Sequence, residues 1–190
     1  MQVITLIPLV LFYAFLSYGR NMVWVTDYAL WRDAIENSPL KPHPHINIGV
    51  ALLKNGYIEE AVQHLKVASR LAPQAVEPLL NLGSAYLLKR DWDNAIAALE
   101  KAVSIQSDSS LVYSNLGLAL ANKGLYKEAI ARLQYAVFLW PDNYAAHKNL
   151  AIIYEKLGFF HESEREAEIA KRLGRNVKIV HGYEVIQELD

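Results

Sequence analysis

Five alanines, Ala34, Ala68, Ala102, Ala136 and Ala170, follow one another at a constant interval of 34 residues. A fixed period of that length, without collagen triplets or heptads, requires a stack of equivalent units that each bury an apolar face against the next. Other positions keep the same period. Asn47, Asn81, Asn115 and Asn149 are each followed by an aliphatic residue (Ile48, Leu82, Leu116, Leu150) and then by a small one (Gly49, Gly83, Gly117, Ala151). Further along each unit come Ala61, Ala95, Ala129 and Ser163, and then Leu65, Leu99, Leu133 and, breaking the rule, Ala167. Pro39, Pro73 and Pro141 close their units, with Ser107 in the remaining slot.

This spacing predicts two antiparallel helices per unit. Small residues at fixed points let two helix backbones approach to about 8–9 Å, the short end of the packing range. Gly56, Gly124 and Gly158 follow the first helix of their units, where a left-handed residue ends a helix at little cost. The prolines then stop the second helix, since proline cannot extend a helical ladder. The joint pattern resembles the tetratricopeptide repeat, a helix–turn–helix unit of 34 residues. That resemblance implies an all-α TPR solenoid of about four and a half units, with full units at 42–75, 76–109, 110–143 and 144–173. Residues 20–41 form a junction and a half unit: Thr26 is the expected N-cap of a helix through Asn37. There Trp31, Ala34 and Pro39 take the slots of Leu65, Ala68 and Pro73. The charged run Glu162–Glu168 suits a terminal repeat that faces water. The tail 174–190 carries Val177, Ile179, Val180, Tyr183, Val185 and Ile186, and is expected to pack on or cap the array.

The other constraint is at the start, where Met1 to Gly19 hold no charged side chain. Eighteen helical residues span about 27 Å, close to a hydrocarbon core of about 30 Å. A single transmembrane helix over 1–19 is therefore expected, with Pro8 tolerated inside it and Tyr13, Tyr18 and Trp24 at the interface. A cleaved signal fits badly, because no Lys or Arg precedes the apolar run and no small-x-small site follows it. A helix buried in a larger complex remains the alternative. Arg20, Asp27 and Arg32 give the positive-inside rule almost nothing to count. The stretch Arg20-Asn21, Trp24, Leu30-Trp31, Asp33-Ala34-Ile35, Ser38-Pro39 and Asn47-Ile48-Gly49 resembles one junction in particular. It is similar to that between the last membrane helix and the repeats of membrane-embedded protein O-mannosyltransferases and related bacterial proteins. The resemblance implies a single-pass membrane protein with extracytoplasmic repeats. It does not imply glycosyl transfer, because the many-helix membrane body and its acidic loops are absent.

Composition removes other classes. A net charge of −1, from 19 Lys+Arg against 20 Asp+Glu, leaves no electrostatic footprint for nucleic acid. Zero cysteines exclude disulfides, thiolate metal sites and haem attachment through thioethers. The histidines His43, His45, His64, His147, His161 and His181 include no i, i+4 pair, so surface or capping roles are expected and no metal site. Glu59, Glu60, Asp91, Asp93 and Glu128 open second helices, where they offset the positive helix end. Glycines stand singly, so no loop cradles a phosphate. No catalytic set, cofactor or small-molecule substrate follows from any spacing, and no enzyme is expected.

A protein partner is the remaining expectation. The asparagines fall on the first helix of each unit, which lines the concave face, and an amide there can bond an extended backbone without reading its side chains. The ladder resembles that of the repeat domain of O-linked N-acetylglucosamine transferases. Bonding between neighbouring units is the competing role, and both readings stay open. The family's other groove positions are Ile46, Val50, Leu53, Leu80, Ser84, Leu87, Leu111 and Leu118, followed by Lys148, Glu155 and Lys156. An apolar patch of that extent marks a partner site unless the chain's own ends cover it. The slots of a carboxylate clamp hold His43, Glu77, Leu111 and Ala145, which argues against that mode. The expected function is a membrane-anchored scaffold that holds a helix or extended segment in its groove and assembles a membrane-associated complex. Two alternatives stand beside it: an accessory module presenting substrates to a membrane glycosyltransferase, and an integral structural subunit of a larger membrane complex.

Overall fold

A computed structural model describes residues 28–105 and 108–174. Among these residues there are nine helices and no strand. The first, α1, covers 28–37. The others are α2 (Pro42–Lys54), α3 (Ile58–Leu71), α4 (Val76–Leu88), α5 (Trp92–Ser104), α6 (Ser110–Asn122), α7 (Tyr126–Leu139), α8 (Tyr144–Lys156) and α9 (Phe160–Gly174). The first helices of the pairs thus begin at 42, 76, 110 and 144, one sequence period apart. The chain forms two compact units, Met1–Leu71 and Ala72–Asp190. In the first, α2 packs on α3; in the second, α4/α5, α6/α7 and α8/α9 are packed pairs that stack in order.

The turn inside each pair has one geometry. Gly56, Gly124 and Gly158 adopt φ of 82°, 83° and 80°, the left-handed region that glycine enters without a Cβ penalty. Each N–H donates to a carbonyl three residues back, and the next N–H reaches five back: Gly56 to Leu53 and Tyr57 to Leu52, at 3.1 and 3.0 Å. This satisfies carbonyls that the ended helix would leave orphaned. The corresponding slot between α4 and α5 is Arg90, at φ 58°, with the same pair of bonds from Arg90 to Leu87 and Asp91 to Tyr86. A side chain there is strained by about 1–2 kcal/mol. Asp91 then caps α5, accepting from the Asn94 backbone N–H at 3.3 Å and its side-chain amide at 2.8 Å.

Within a pair the approach is set by a glycine. A Cβ on Gly49, Gly83 or Gly117 would stand 2.7, 2.5 or 2.5 Å from Cγ of Leu65, Leu99 or Leu133, which is closer than carbon atoms tolerate. The three leucines are fully buried. The last pair inverts the arrangement, with Ala151 in the glycine slot and Ala167 in the leucine slot. Ser163 Oγ instead donates to the Ala151 carbonyl at 2.9 Å. The lost leucine leaves an open cleft of about 500 Å³, lined by Tyr144, Ala151, Ile152, Ser163 and Ala167 among others. In the second unit the core runs between pairs, through Leu79, Leu99, Val112, Leu116, Leu133, Leu150 and Ile153.

The membrane expectation is corrected here. No helix among the described residues is long and apolar enough to cross a membrane. The longest, α9, has 15 residues and carries the charged sequence FHESEREAEIAKRLG; at 1.5 Å per residue it reaches about 22 Å, short of a hydrocarbon core. None of the described helices therefore supplies the expected single-pass span. Residues 1–19, where the span was expected, lie outside the described residues, as do Thr26 and the tail beyond Gly174.

Two outcomes follow from these contacts. Ala167→Leu alone is expected to stabilise by at most about 1 kcal/mol, because the apolar area it buries in the open cleft is partly offset by crowding of the Ala151 Cβ. Combined with Ala151→Gly it restores the arrangement of the other pairs, with a favourable coupling of about 1 kcal/mol or more in urea-denaturation cycles. Arg90→Gly is expected to stabilise by about 0.5–1 kcal/mol in the same assay, the relieved strain exceeding the larger entropy of the unfolded glycine.

Candidate protein-binding face

In the second unit the first helices α4, α6 and α8 contact one another in sequence, so that one face is built from equivalent positions. Asn81, Asn115 and Asn149 share a slot on it, and they do not share an environment. Asn115 is buried, and its amide Nδ2 donates to Ser84 Oγ at 3.0 Å. Ser84 Oγ in turn donates to the Leu80 carbonyl at 3.0 Å. At this rung one amide N–H ties α6 to α4 inside the array. Leu118 holds on α6 the slot that Ser84 holds on α4, and a leucine cannot accept. Asn149 on α8 is only 5% exposed, and its side chain has no hydrogen bond to any described residue. A buried amide left in that state costs about 1–3 kcal/mol. Asn81 is half-buried and also without a side-chain bond to a described residue.

The apolar members of the face divide as sharply. Leu87 and Leu118 are buried, at 0% and 2% exposure, and Ser84 is buried beside them. Leu80 and Leu111 are half-buried. In the first unit Ile46 and Leu53 on α2 are buried, while Asn47 and Val50 are half-buried. Of the apolar residues expected to line one open groove, those left accessible are thus Val50 in the first unit and, separately, Leu80 and Leu111 in the second. At the far end Lys148 is half-buried, Glu155 and Lys156 are exposed, and the Lys156 ammonium lies 5.6 Å from the centre of the Tyr126 ring.

Several polar residues escaped the sequence reading. Asn143, only 1% exposed, caps α8 by accepting from the Ala146 N–H at 2.9 Å. Its amide donates to Ser110 Oγ at 2.7 Å, and Ser110 donates to the Ala136 carbonyl at 2.7 Å, which ties α6, α7 and α8. The signal was an asparagine directly before a helix start. His45 and His147, expected at the surface or at caps, are buried, because each ring fills the slot that holds Leu79 and Tyr113 in the other units. Their shared register, three periods apart, was visible in the sequence. Tyr113 packs edge-on to Tyr135 with centroids 4.5 Å apart; burial first, and then Tyr135, raise its hydroxyl above the ordinary value. No three His, Asp or Glu side chains among the described residues are grouped to hold a metal ion.

Sequence comparison decides what the unit is. Residues 83–124 match the family described as "TPR repeat", and residues 114–173 match "Tetratricopeptide repeat". The stacked pairs are tetratricopeptide repeats. No curated protein sequence matches the chain. Solved structures do: MamA from Desulfovibrio magneticus RS-1 superposes with a TM-score of 0.73 at 20% identity, over 84% of this chain and 90% of that one. MamA AMB-1 gives 0.70 at 24% identity, over 85% and 95%. A chain of the APC/C hetero-tetramer Cut9–Hcn1 gives 0.74 at 19% identity, over 82% of this chain and 30% of that one. At these identities the likeness establishes the fold of the repeats. It does not show the expected kinship with O-mannosyltransferase-like proteins.

The two buried amides of the tetratricopeptide face should respond differently to substitution. Asn115→Ala and Ser84→Ala are expected to couple by about 1 kcal/mol in a double-mutant cycle, the net worth of one buried hydrogen bond. Asn149→Leu should cost less than Asn115→Leu in denaturant titrations, because it removes an amide that has no described partner.

Proposed function

We propose that this chain is a tetratricopeptide scaffold that holds a helix or extended segment of another protein against the first-helix face of its second unit. The observation that carries this reading is Asn149: a side-chain amide out of water, with no described acceptor or donor, on the helix face next to Lys148 and Ile152. A polypeptide laid along that face supplies the missing bonds through its own backbone. Half-buried Leu80 and Leu111 add apolar area at the neighbouring rungs, and Asn81 adds a second amide without a described side-chain bond. Shape and amides favour a peptide chain over a small molecule, since the face is a long surface and the cleft at its last pair is open to solvent.

The role is non-catalytic. Carboxylates that could serve as acids or bases, such as Glu59, Glu60, Asp93 and Glu128, sit exposed in the first turns of second helices. There they complement the helix dipole. In the first unit Asn47 and Val50 on α2 present the same slots and offer the same type of surface.

The test uses photoreactive side chains at Leu80 or Leu111, with exposed Glu100 on α5 as the control position. Crosslinks to a discrete protein from Leu80 and Leu111, absent from Glu100, are expected. Leu80→Asp with Leu111→Asp should weaken capture by at least about tenfold, or 1.4 kcal/mol, while far-ultraviolet circular dichroism stays helical. Leu87 and Leu118 are not used, because a carboxylate at a fully buried site would unfold the pair and imitate a binding defect. Equal crosslinking from both faces would refute the assignment.

A further inference from the structure

Two polar sockets of the same frame occur three repeat periods apart, one in each compact unit. His45 on α2 and His147 on α8 hold one register slot, and His64 on α3 and Glu166 on α9 hold another. In both sockets the imidazole Nε2 faces the carbonyl of the proline that precedes the helix, Pro39 at 3.2 Å and Pro141 at 2.8 Å. In both, Nδ1 faces the second helix of the same pair, meeting His64 Nδ1 at 3.1 Å in one and the Glu166 carboxylate in the other. The intervening units place Leu79 and Tyr113 in the histidine slot, opposite Ala98 and Arg132. The socket is therefore not a requirement of the repeat.

The partners fix where the protons sit. A carbonyl only accepts, so Nε2–H of each buried histidine is the donor. Neutral His45 then has a bare Nδ1, which accepts from the Nδ1–H of His64. A second proton on His45 sets N–H against N–H with no acceptor between them. A proton on His64 places a cation in a half-buried site beside a second titratable ring. The His147 socket behaves in the opposite way: carbonyl and carboxylate both accept, so the doubly protonated ring satisfies both partners.

We propose that the His45–His64 pair is an acid-sensitive latch on the first unit, and that the His147–Glu166 pair is its acid-resistant counterpart in the second. Burial first, and then His45, hold the His64 ring below its ordinary value of 6.5. The folded unit thus binds fewer protons than the unfolded chain. The stability the pair contributes is present above about pH 6.5 and is lost as pH falls through the lowered value.

Among the described residues, no opposite charge rescues the latch. On α3 the charged residues Glu59, Glu60, Lys66 and Arg70 are all exposed, as are His43 and Lys54 on α2 and Arg32, Asp33 and Glu36 on α1. None of them contributes to the His64 shift, whose causes are burial and His45. Around His147, the charged residues of α7 (Lys127, Glu128, Arg132) are exposed, and Glu166 is the group that faces it from α9. Acidification therefore opens α2 from α3 and leaves α8 on α9. Because α2 carries Asn47 and Val50, the consequence is a first unit whose surface changes with pH while the second unit keeps its own.

The experiment is hydrogen exchange on the full chain at pH 7.5 and 5.5, corrected for intrinsic rates. Protection of α2 and α3 peptides is expected to fall more than that of α8 and α9 peptides, by up to the roughly tenfold that one histidine can supply over this range. His64→Glu, which rebuilds the second socket in the first unit, should abolish the difference. His64→Gln, a non-titrating donor to His45 Nδ1, carries the same test if the glutamate variant loses helix at pH 7.5. Equal acid responses in the two pairs, or an undiminished response of α2 and α3 in His64→Gln, would overturn the latch.

Discussion

The approach of a glycine Cα to a leucine side chain sets the spacing within the first three helix pairs, and their packing depends on it. A Cβ on Gly49, Gly83 or Gly117 would meet the facing leucine at 2.7 Å or less, so the first helix carries a notch and the second a ridge. That fit holds two antiparallel helices close enough to exclude water between them. Only a pair fixed at that distance presents a constant outer surface to the next, and stacking in register follows. The last pair, with Ala151 and Ala167, keeps the total volume small and gives up the interlock. An open cleft forms where the leucine would have been.

Polar contacts act on this apolar frame as local ties, not as a uniform ladder. The Asn115–Ser84–Leu80 chain and the Asn143–Ser110–Ala136 chain each join helices of different pairs through a hydroxyl that accepts once and donates once. A serine is the smallest residue that can do both, which explains its presence at otherwise apolar rungs. Where the serine is replaced by a leucine, as at Leu118, the amide across from it loses its tie. Equivalent sequence positions thus differ, with a tie between helices at Asn115 and no side-chain bond to a described residue at Asn149.

How much was legible beforehand can be read from particular residues. Gly56, Gly124 and Gly158 were identified from their period, and their left-handed φ confirms the helix ends; Arg90 in the same slot shows that the turn is imposed by the bonds around it. The pairing of Gly49, Gly83 and Gly117 with helix-packing was also readable, since small residues at a fixed period have few other uses. Burial of Leu87 and Leu118 was not readable. Both lie on the face that the period assigns to a groove, and periodicity assigns a face without saying what covers it. The histidine pair is not legible in spacing along one helix, because His45 and His64 meet across two helices.

The sequence by itself determined the unit, its length, its two helices and the places where they end, because each depends on contacts within about one turn or across one tight connection. Tertiary structure alone decided which asparagine is satisfied, which leucines remain accessible and which histidines face each other. Those outcomes depend on atoms far apart in sequence that meet within hydrogen-bond or van der Waals distance in space. A repeating pattern gives such atoms the same address in every unit, and only the packed neighbours distinguish one from another.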